Sequence, residues 1–368
     1  MVKTILIANK SLPFSKIGSW TSMYDYYLQQ EHYIDYIICP KPKTKYKNIE
    51  YKFTDNNIFQ KIKIKYFNYH KFNFILKEIE DIIEPNTKYI VQFVDSFAGV
   101  NYIIKNLNKK YKKKRFYYQF FYHGFPPFYG NGEHEVFYND IDEMILLTQK
   151  SYKEHVRLYT NLPCKFSILH NGVNTELFFK FSQEKKLELR QKEGFSIDKK
   201  IFLWLSQDRP KKGLDFILNV WKKIDEEVIN DSELWIIGSN RQFNIQGVNS
   251  LGRKPNKDLP KYYQMADVYL FPTLCQEGFG LSLIEALHCG CYPIASKLGG
   301  VPEVLHNGKF GKLIENPHFE FEWKEEIERI MNSKIKDFQN NFDVKLYTLE
   351  NWSKQMNVLI NEAKKTIL

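Results

Sequence analysis

The chain has 368 residues, 43% apolar and 16% aromatic, with 29 Phe and 24 Tyr. That is enough for two domains of ordinary size with sizeable cores, and it excludes an intrinsically disordered chain. The formal net charge is +10, and nearly all of the basic excess lies in the first half, in Lys41 to Lys47, Lys61 to Lys65 and Lys109 to Arg115.

Thr4 to Ala8 reads as a buried first strand, followed by a loop, Asn9 to Trp20, that carries Gly18. Thr21 to Gln30 reads as a helix and Tyr36 to Cys39 as a second strand. Apolar residues at helical spacing predict a helix over Phe72 to Ile83. Then come a strand (Tyr89 to Val94), a helix (Val100 to Leu107), a strand ending at His123-Gly124 (Phe116 to Tyr122) and another strand (Met144 to Thr148). Such alternation predicts a parallel sheet with crossover helices.

The alternation restarts after residue 200. Ile201 to Leu205 reads as a strand, Leu214 to Ile224 as a helix, Leu234 to Ile237 as a strand ending at Gly238, and Val248 to Leu251 as a short strand. Helix Leu259 to Met265, strand Val268 to Phe271, helix Leu281 to His288 and strand Tyr292 to Ala295 follow. Leu162 to Gly194 is polar and charged, as a connector would be. The expected fold is α/β, with two Rossmann-like doubly wound domains facing across a cleft. The expected bounds are 1–165 for the first domain, 166–195 for the linker and 196–345 for the second domain. A C-terminal helix over 346–368 is expected to return to the first domain. Ligands of such sheets bind beyond the carboxyl ends of strands. Gly18, His123, Arg209, Gly238 and Glu277 are expected at such ends.

Glu277-Gly278-Phe279-Gly280-Leu281-Ser282-Leu283-Ile284-Glu285 carries the most chemistry. A helix start opened by glycine exposes unpaired N–H groups that attract phosphate. Side chains lean toward a helix N-terminus, so Glu285 points back to the same place that Glu277 approaches from the loop. A phosphate cradle between two hydroxyl-seeking carboxylates suits a nucleotide-sugar, although a strand, a Gly-rich turn and a helix occur in any doubly wound fold. It is not a dinucleotide fingerprint, because Leu283 stands where the third glycine would be.

Other signals are exclusions. No secretory leader and no run of about 18 apolar residues is visible, which points to a cytoplasmic protein. Cys39, Cys164, Cys275, Cys289 and Cys291 lack zinc spacing and read as reduced thiols. His70, His123, His134, His170 and His288 show no ligand spacing either. Asp140-Ile141-Asp142 spells D-x-D, but it precedes a strand and reads as a polar loop or helix cap. No metal is expected. The basic stretches are either solvated surface or an attraction for an acidic glycan, an anionic membrane surface or nucleic acid.

Five segments, in order, resemble the retaining, nucleotide-sugar-dependent glycosyltransferases of family 4, which have the GT-B fold. They are Ile168 to Asn174, Arg209 to Asp215, Ile236 to Ser239, Glu277 to Glu285 (similar to the family's E-x7-E element) and Gly299 to Glu303 followed by Gly308 and Gly311. The first half resembles the family only through Gly18 and His123-Gly124.

The resemblance implies transfer of a sugar, with retention and without metal, from a nucleoside diphosphate sugar to a hydroxyl of a glycan or lipid-linked acceptor. It places Arg209, Lys212, Glu277 and His123 in catalysis. Arg209 and Lys212, with the N–H groups near Gly280 and Leu281, would take the diphosphate. Glu285 would take the ribose, and Glu277 the donor sugar. Gly18, Gly238, Arg253, Lys254, Gly278, Phe279 and Ser282 complete the expected donor site, with the base near Arg253 and Lys254. One departure is Gln207, at the position where the family's arginine is usual. Arg209 or Lys211 would then share its task. A nucleotide-sugar epimerase on the same scaffold is the enzymatic alternative, and a nucleic-acid-binding protein using Tyr111 to Arg115 the non-enzymatic one. The basic first half also suits peripheral contact with the cytoplasmic face of an anionic membrane.

Overall fold

The computed structural model describes residues 1–14, 19–54, 72–95, 99–111, 113–127, 133–159, 161–334, 338 and 342–368. Gly18, Lys61 to Lys65, His70 and Lys112 lie outside the described residues.

The chain forms two compact units, residues 1–171 with 349–368, and residues 172–348. In chain order, the first holds β1 (Val2–Ile7), α1 (Ser19–Tyr27), β2 (Tyr36–Cys39), β3 (Glu50–Phe53), α2 (Asn73–Glu80), β4 (Lys88–Val94), α3 (Val100–Lys110), β5 (Phe116–Tyr122), α4 (Glu133–Asp140), β6 (Glu143–Leu146), α5 (Gln149–Leu158) and β7 (Lys165–Ile168). These strands form a parallel sheet in the order β3-β2-β1-β4-β5-β6-β7.

The second unit holds α6 (Gln183–Lys192), β8 (Lys200–Leu205), α7 (Leu214–Trp221), α8 (Glu226–Ile229), β9 (Ser232–Ile237), β10 (Val248–Gly252), α9 (Leu259–Met265), β11 (Val268–Phe271), α10 (Leu281–His288), β12 (Tyr292–Ser296), α11 (Val301–Val304), β13 (Lys312–Ile314) and α12 (Glu320–Met331). Its sheet is also parallel, in the order β10-β9-β8-β11-β12-β13.

Both sheets therefore have the doubly wound order 3-2-1-4-5-6, with one further strand in the first. Each reverses direction of growth once, between β1 and β4 and between β8 and β11. The crossovers run to opposite faces on the two sides of such a point, so the loops there part and leave a crevice. The central strands are apolar on both faces because helices cover both. Tyr89 to Val94 and Ile201 to Leu205 are all buried.

The last helix, α13 (Leu349–Ile367), closes the first unit. Trp352, Met356, Leu359, Ile360, Ala363 and Ile367 make its buried face. Trp352 meets the rings of Tyr24 and Tyr27 edge-on, and Tyr27 donates to Asn357 at 2.6 Å. Each large apolar side chain so buried contributes about 1.5–3 kcal/mol, which holds the chain end on a unit remote from it in sequence.

The span 166–195 is not a free linker. Lys165 to Ile168 form the edge strand β7, paired with β6. Gln183 to Lys192 form α6, which is polar on nearly every side and anchored by buried charge instead. Arg190 is 1% exposed and donates to Asp267 at 2.7 Å and to the carbonyl of Met265, while Lys186 lies 2.5 Å from Asp267. Burial alone would raise the Asp267 carboxyl, but Lys186 and Arg190 hold it below the usual carboxylate range. A helix tied down by ion pairs carries no apolar stripe to read.

Candidate functional site

In the second unit the crevice at the reversal point lies between two loops, 206–213 after β8 and 272–280 after β11. Backbone bonds stitch these loops together. Leu274 N–H donates to the Lys211 carbonyl at 2.9 Å, and the buried Trp204 indole donates to the Lys212 carbonyl at 3.2 Å. The short 3-10 turn Pro210–Lys212 thus presents its side chains from a fixed frame.

Lys212 and Glu277 are brought together. The Lys212 ammonium pairs with Glu277 Oε1, and the buried Thr273 hydroxyl donates to the same oxygen at 3.0 Å. Glu277 itself is held by its main chain. Gly300 N–H donates to the Glu277 carbonyl at 2.8 Å. Gly299, at φ 59°, packs so closely that a Cβ there would lie 2.3 Å from the Glu277 carbonyl oxygen and 2.5 Å from its nitrogen. Only glycine permits that approach.

Gly280 turns the chain into α10 with φ 92°, a left-handed value that favours glycine. It has no side chain with which to cap, so the first N–H groups of α10 open toward the crevice. The Phe279 side chain points the other way. It is 2% exposed and packs edge-on against Tyr347 at 5.2 Å. Phe279 can therefore offer a ligand only its backbone. Leu281 and Ser282 are half-buried in the first turn.

Glu285 lies one turn further on. Tyr263 of α9 donates to its Oε2 at 3.0 Å. Burial pushes the Glu285 carboxyl up to about 7, against the hydrogen bond from Tyr263, which lowers it.

Toward β9 and β10, Gly238 N–H donates to the Gly252 carbonyl at 3.1 Å, and Arg253 donates to the Gly238 carbonyl at 3.4 Å. Lys254 lies over the Tyr262 ring at 5.8 Å. Asp208 organises this side. It accepts from Ser239 at 2.6 Å and from two nitrogens of Arg241 at 2.9 and 3.0 Å. Burial alone would raise its carboxyl, but Ser239, Arg241 and Arg253 outweigh this and lower it. Gln207 and Arg209 flank it and are both exposed. Arg209 makes no side-chain hydrogen bond or ion pair among the described residues, so its position at the start of the turn leaves the guanidinium open to a ligand.

The first unit has its own reversal point, and Asp95 stands at it, directly after β4. Asp95 adopts φ 53°, and its N–H donates to the Phe121 carbonyl at 3.0 Å. One carboxylate oxygen, Oδ1, accepts from the His123 N–H at 2.8 Å and lies 3.1 Å from His123 Nδ1. An ionised carboxylate can only accept, so Nδ1 carries the proton and Nε2 is left as the free end of the ring. Trp20 stacks on the imidazole at 6.4 Å. Burial would raise the Asp95 carboxyl, but His123 more than reverses this.

Asp95, Thr273, Asp208 and Tyr263 were not among the residues expected from sequence. A polar residue at the carboxyl end of a buried strand, as Asp95 is after Tyr89 to Val94, was the signal available for the first. Asp142 of the D-x-D triplet accepts from the Tyr118 N–H at 2.8 Å, which is a structural task. Among the described residues no three His, Cys, Asp or Glu side chains cluster as a metal site, and no helix is long and apolar enough to cross a membrane.

Residues 185–345 match the family model of Glycosyl transferases group 1. An uncharacterized glycosyltransferase of Methanocaldococcus jannaschii is 29% identical over 174 residues, 44% of this chain and 44% of that protein. The chain spans about half the length of the curated relatives it matches. Sucrose-phosphate synthase from Thermosynechococcus elongatus superposes with a TM-score of 0.72 at 15% identity, covering 100% of both chains. Anabaena HepE in complex with UDP and glucose does so with 0.71 at 14% identity, covering 98% of this chain and 100% of that one. The second unit is similar to the group 1 family over residues 185–345, and the fold is that of the GT-B glycosyltransferases.

Proposed function

For a chain with a group 1-like domain on the GT-B fold, we propose retaining transfer of a sugar from a nucleoside diphosphate sugar to a hydroxyl of a glycan or lipid-linked acceptor, without a metal. The observation that carries the reading is the pairing of Lys212 with Glu277 beside the open N-terminus of α10, at the reversal point of the second sheet.

Breaking a sugar–diphosphate bond leaves negative charge on the departing nucleotide. Preorganised cations and N–H groups aimed there are the largest catalytic term available. Lys212, the exposed Arg209 and the N–H groups at Gly280 to Ser282 fill that role. Glu277 then turns from Lys212 to the hydroxyls of the donor sugar, where a carboxylate also steadies an oxocarbenium-like centre. Glu285 accepts from the ribose. The base rests along Gly238, Arg253 and Lys254. His123, fixed by Asp95, serves the reacting end of the sugar with Nε2. The UDP and glucose carried by HepE support a donor of this class.

The acceptor in this reading is anionic, reached as a soluble glycan or at a membrane surface. The loop between β2 and β3 starts at the same end of the first sheet as His123 and presents Lys43, Lys45 and Lys47 to solvent as it crosses to the start of β3. The loop is anchored, because Tyr46 is buried and bonded to Asp25 and Tyr51. Lys109, Lys110 and Lys113 to Arg115 stand at the opposite end, where Lys110 pairs with Glu80 and Arg115 donates to the Thr87 carbonyl.

Purified protein mixed with UDP-, GDP- and ADP-sugars tests the reading. One donor should raise the melting temperature and release its nucleotide, with activity unchanged by EDTA. Glu277→Ala should lower turnover by about 10²-fold or more. No stabilisation by any donor and no nucleotide release overturns the proposal. Conversion of the donor without an acceptor, seen by NMR, replaces it with epimerisation.

A further inference from the structure

We propose that Tyr263 is a positioning residue for the nucleotide, holding one oxygen of Glu285 so that the other is presented, as a carboxylate, to the ribose hydroxyls. The inference rests on the reading that the second unit binds a nucleoside diphosphate, and it adds a residue from a different helix.

The geometry is specific. Tyr263 is completely buried on α9, and its hydroxyl donates to Glu285 Oε2 at 3.0 Å. Among the described residues no hydrogen bond ends on Oε1. The Tyr263 ring is wedged edge-on between Tyr269 at 5.5 Å and Phe178 at 5.9 Å. The thiol of Cys291 donates to its carbonyl at 3.1 Å. A ring so packed is held in place, with its hydroxyl between Glu285 and the Tyr269 hydroxyl. Tyr269 in turn donates to the carbonyl of Leu205, at the end of β8. The bond between Tyr263 and Glu285 therefore ties α9 to α10 in the frame that carries the cationic turn.

The titratable groups that face Glu285 are few. Tyr263 comes from α9, Tyr269 from β11 and Cys289 from the end of α10 itself. None of the ion pairs among the described residues includes Glu285. With no cation to hold it ionised, the carboxyl rises to about 7 through burial, and Tyr263 is what pulls it back. A ribose hydroxyl donates to the ionised form only if its partner oxygen is free of a proton. Nucleotide affinity should then increase as pH rises through about 7 and level off above it. Removing the Tyr263 hydroxyl moves that rise to higher pH.

The test uses the full chain and whichever of UDP, GDP and ADP binds it most tightly, together with the 2′,3′-dideoxy form of the same nucleotide. Dissociation constants are measured by calorimetry from pH 6 to pH 9. In Tyr263→Phe the natural nucleotide should bind about tenfold more weakly at pH 7, the order expected for a hydrogen bond to a charged group. The deficit should shrink toward pH 9, and the dideoxy form should bind both proteins alike. Donor KM should rise while kcat stays within about threefold. In a Glu285→Gln background the same Tyr263→Phe change should cost little, as a double-mutant cycle requires. Equal losses for both nucleotides at every pH would reduce Tyr263 to packing and overturn the inference. A wild-type protein that binds none of the three nucleotides overturns the reading of the site, and this inference with it.

Discussion

The two sheets have the same strand order and the same reversal point, yet they fill it differently. In the second unit the reversal point holds cations, an open helix start and two carboxylates, all converging on one crevice. In the first, among the described residues, it holds an acid–imidazole pair under an indole ring. The shared topology dictates where a site is built, because crossover loops part there in any doubly wound sheet. What is built depends on the loop residues alone. One unit is equipped to bind charge and the other to place one ring.

The strongest way to break that contrast is Lys212→Ala. Lys212 is the cation that meets Glu277, and its charge is needed most when the diphosphate departs. Turnover should fall by about 10²–10³-fold, and nucleoside diphosphate affinity should fall as well. Steady-state kinetics with thermal-shift titration measure both. Full activity would mean that Arg209 or Lys211 carries the charge and that the Lys212–Glu277 pair is merely structural.

How legible the site was in sequence follows the same division. Glu277, Gly280 and Glu285 lie on one continuous turn and helix, so their spacing alone places them together. Their partners do not. Tyr263 is 22 residues from Glu285 and Asp95 is 28 from His123. Parallel strands bring such residues together only after a whole crossover, and no local period records it. The elements missed have equally physical reasons. β7, with Lys165 and Ser167 alternating with Phe166 and Ile168, is an edge strand of only four residues, too short to show a clear apolar pattern. α6 is held by Arg190 and Asp267 rather than by an apolar face. Each central strand, apolar along most of its length, could be read directly.

Asp95→Asn sharpens the contrast from the other side. An amide fills the same space, but it lacks the carboxylate charge and no longer fixes Nδ1 as the donor. Burial would raise the Asp95 carboxyl, but His123 holds it below its usual range, so the carboxylate stays ionised down through the ordinary carboxylate range and is protonated only below it. Turnover should fall by about 10–100-fold, in line with the loss of an oriented acid–base or polar partner. Nucleoside diphosphate affinity should stay within about twofold, because the groups assigned to the nucleotide all belong to the second unit. A matching loss of affinity would show that the division of labour is false.

The smallest effect should come from the surface. Lys43, Lys45 and Lys47 are exposed, and charges on such a loop act through solvent, so each is worth little alone. Together they set a local field that reaches about 10 Å at ordinary salt. Replacing all three by Glu should leave nucleotide release without acceptor within about twofold. It should raise the KM for an anionic acceptor several-fold at low salt, with the difference fading as salt rises. The same replacement at Lys109 and Lys110, at the amino ends of the strands, should leave both nucleotide release and acceptor KM within about twofold. If the two sets behave alike, the excess charge of the first unit is general solvation rather than a feature of its binding end. The first unit would then differ from the second only in having fewer contacts to make.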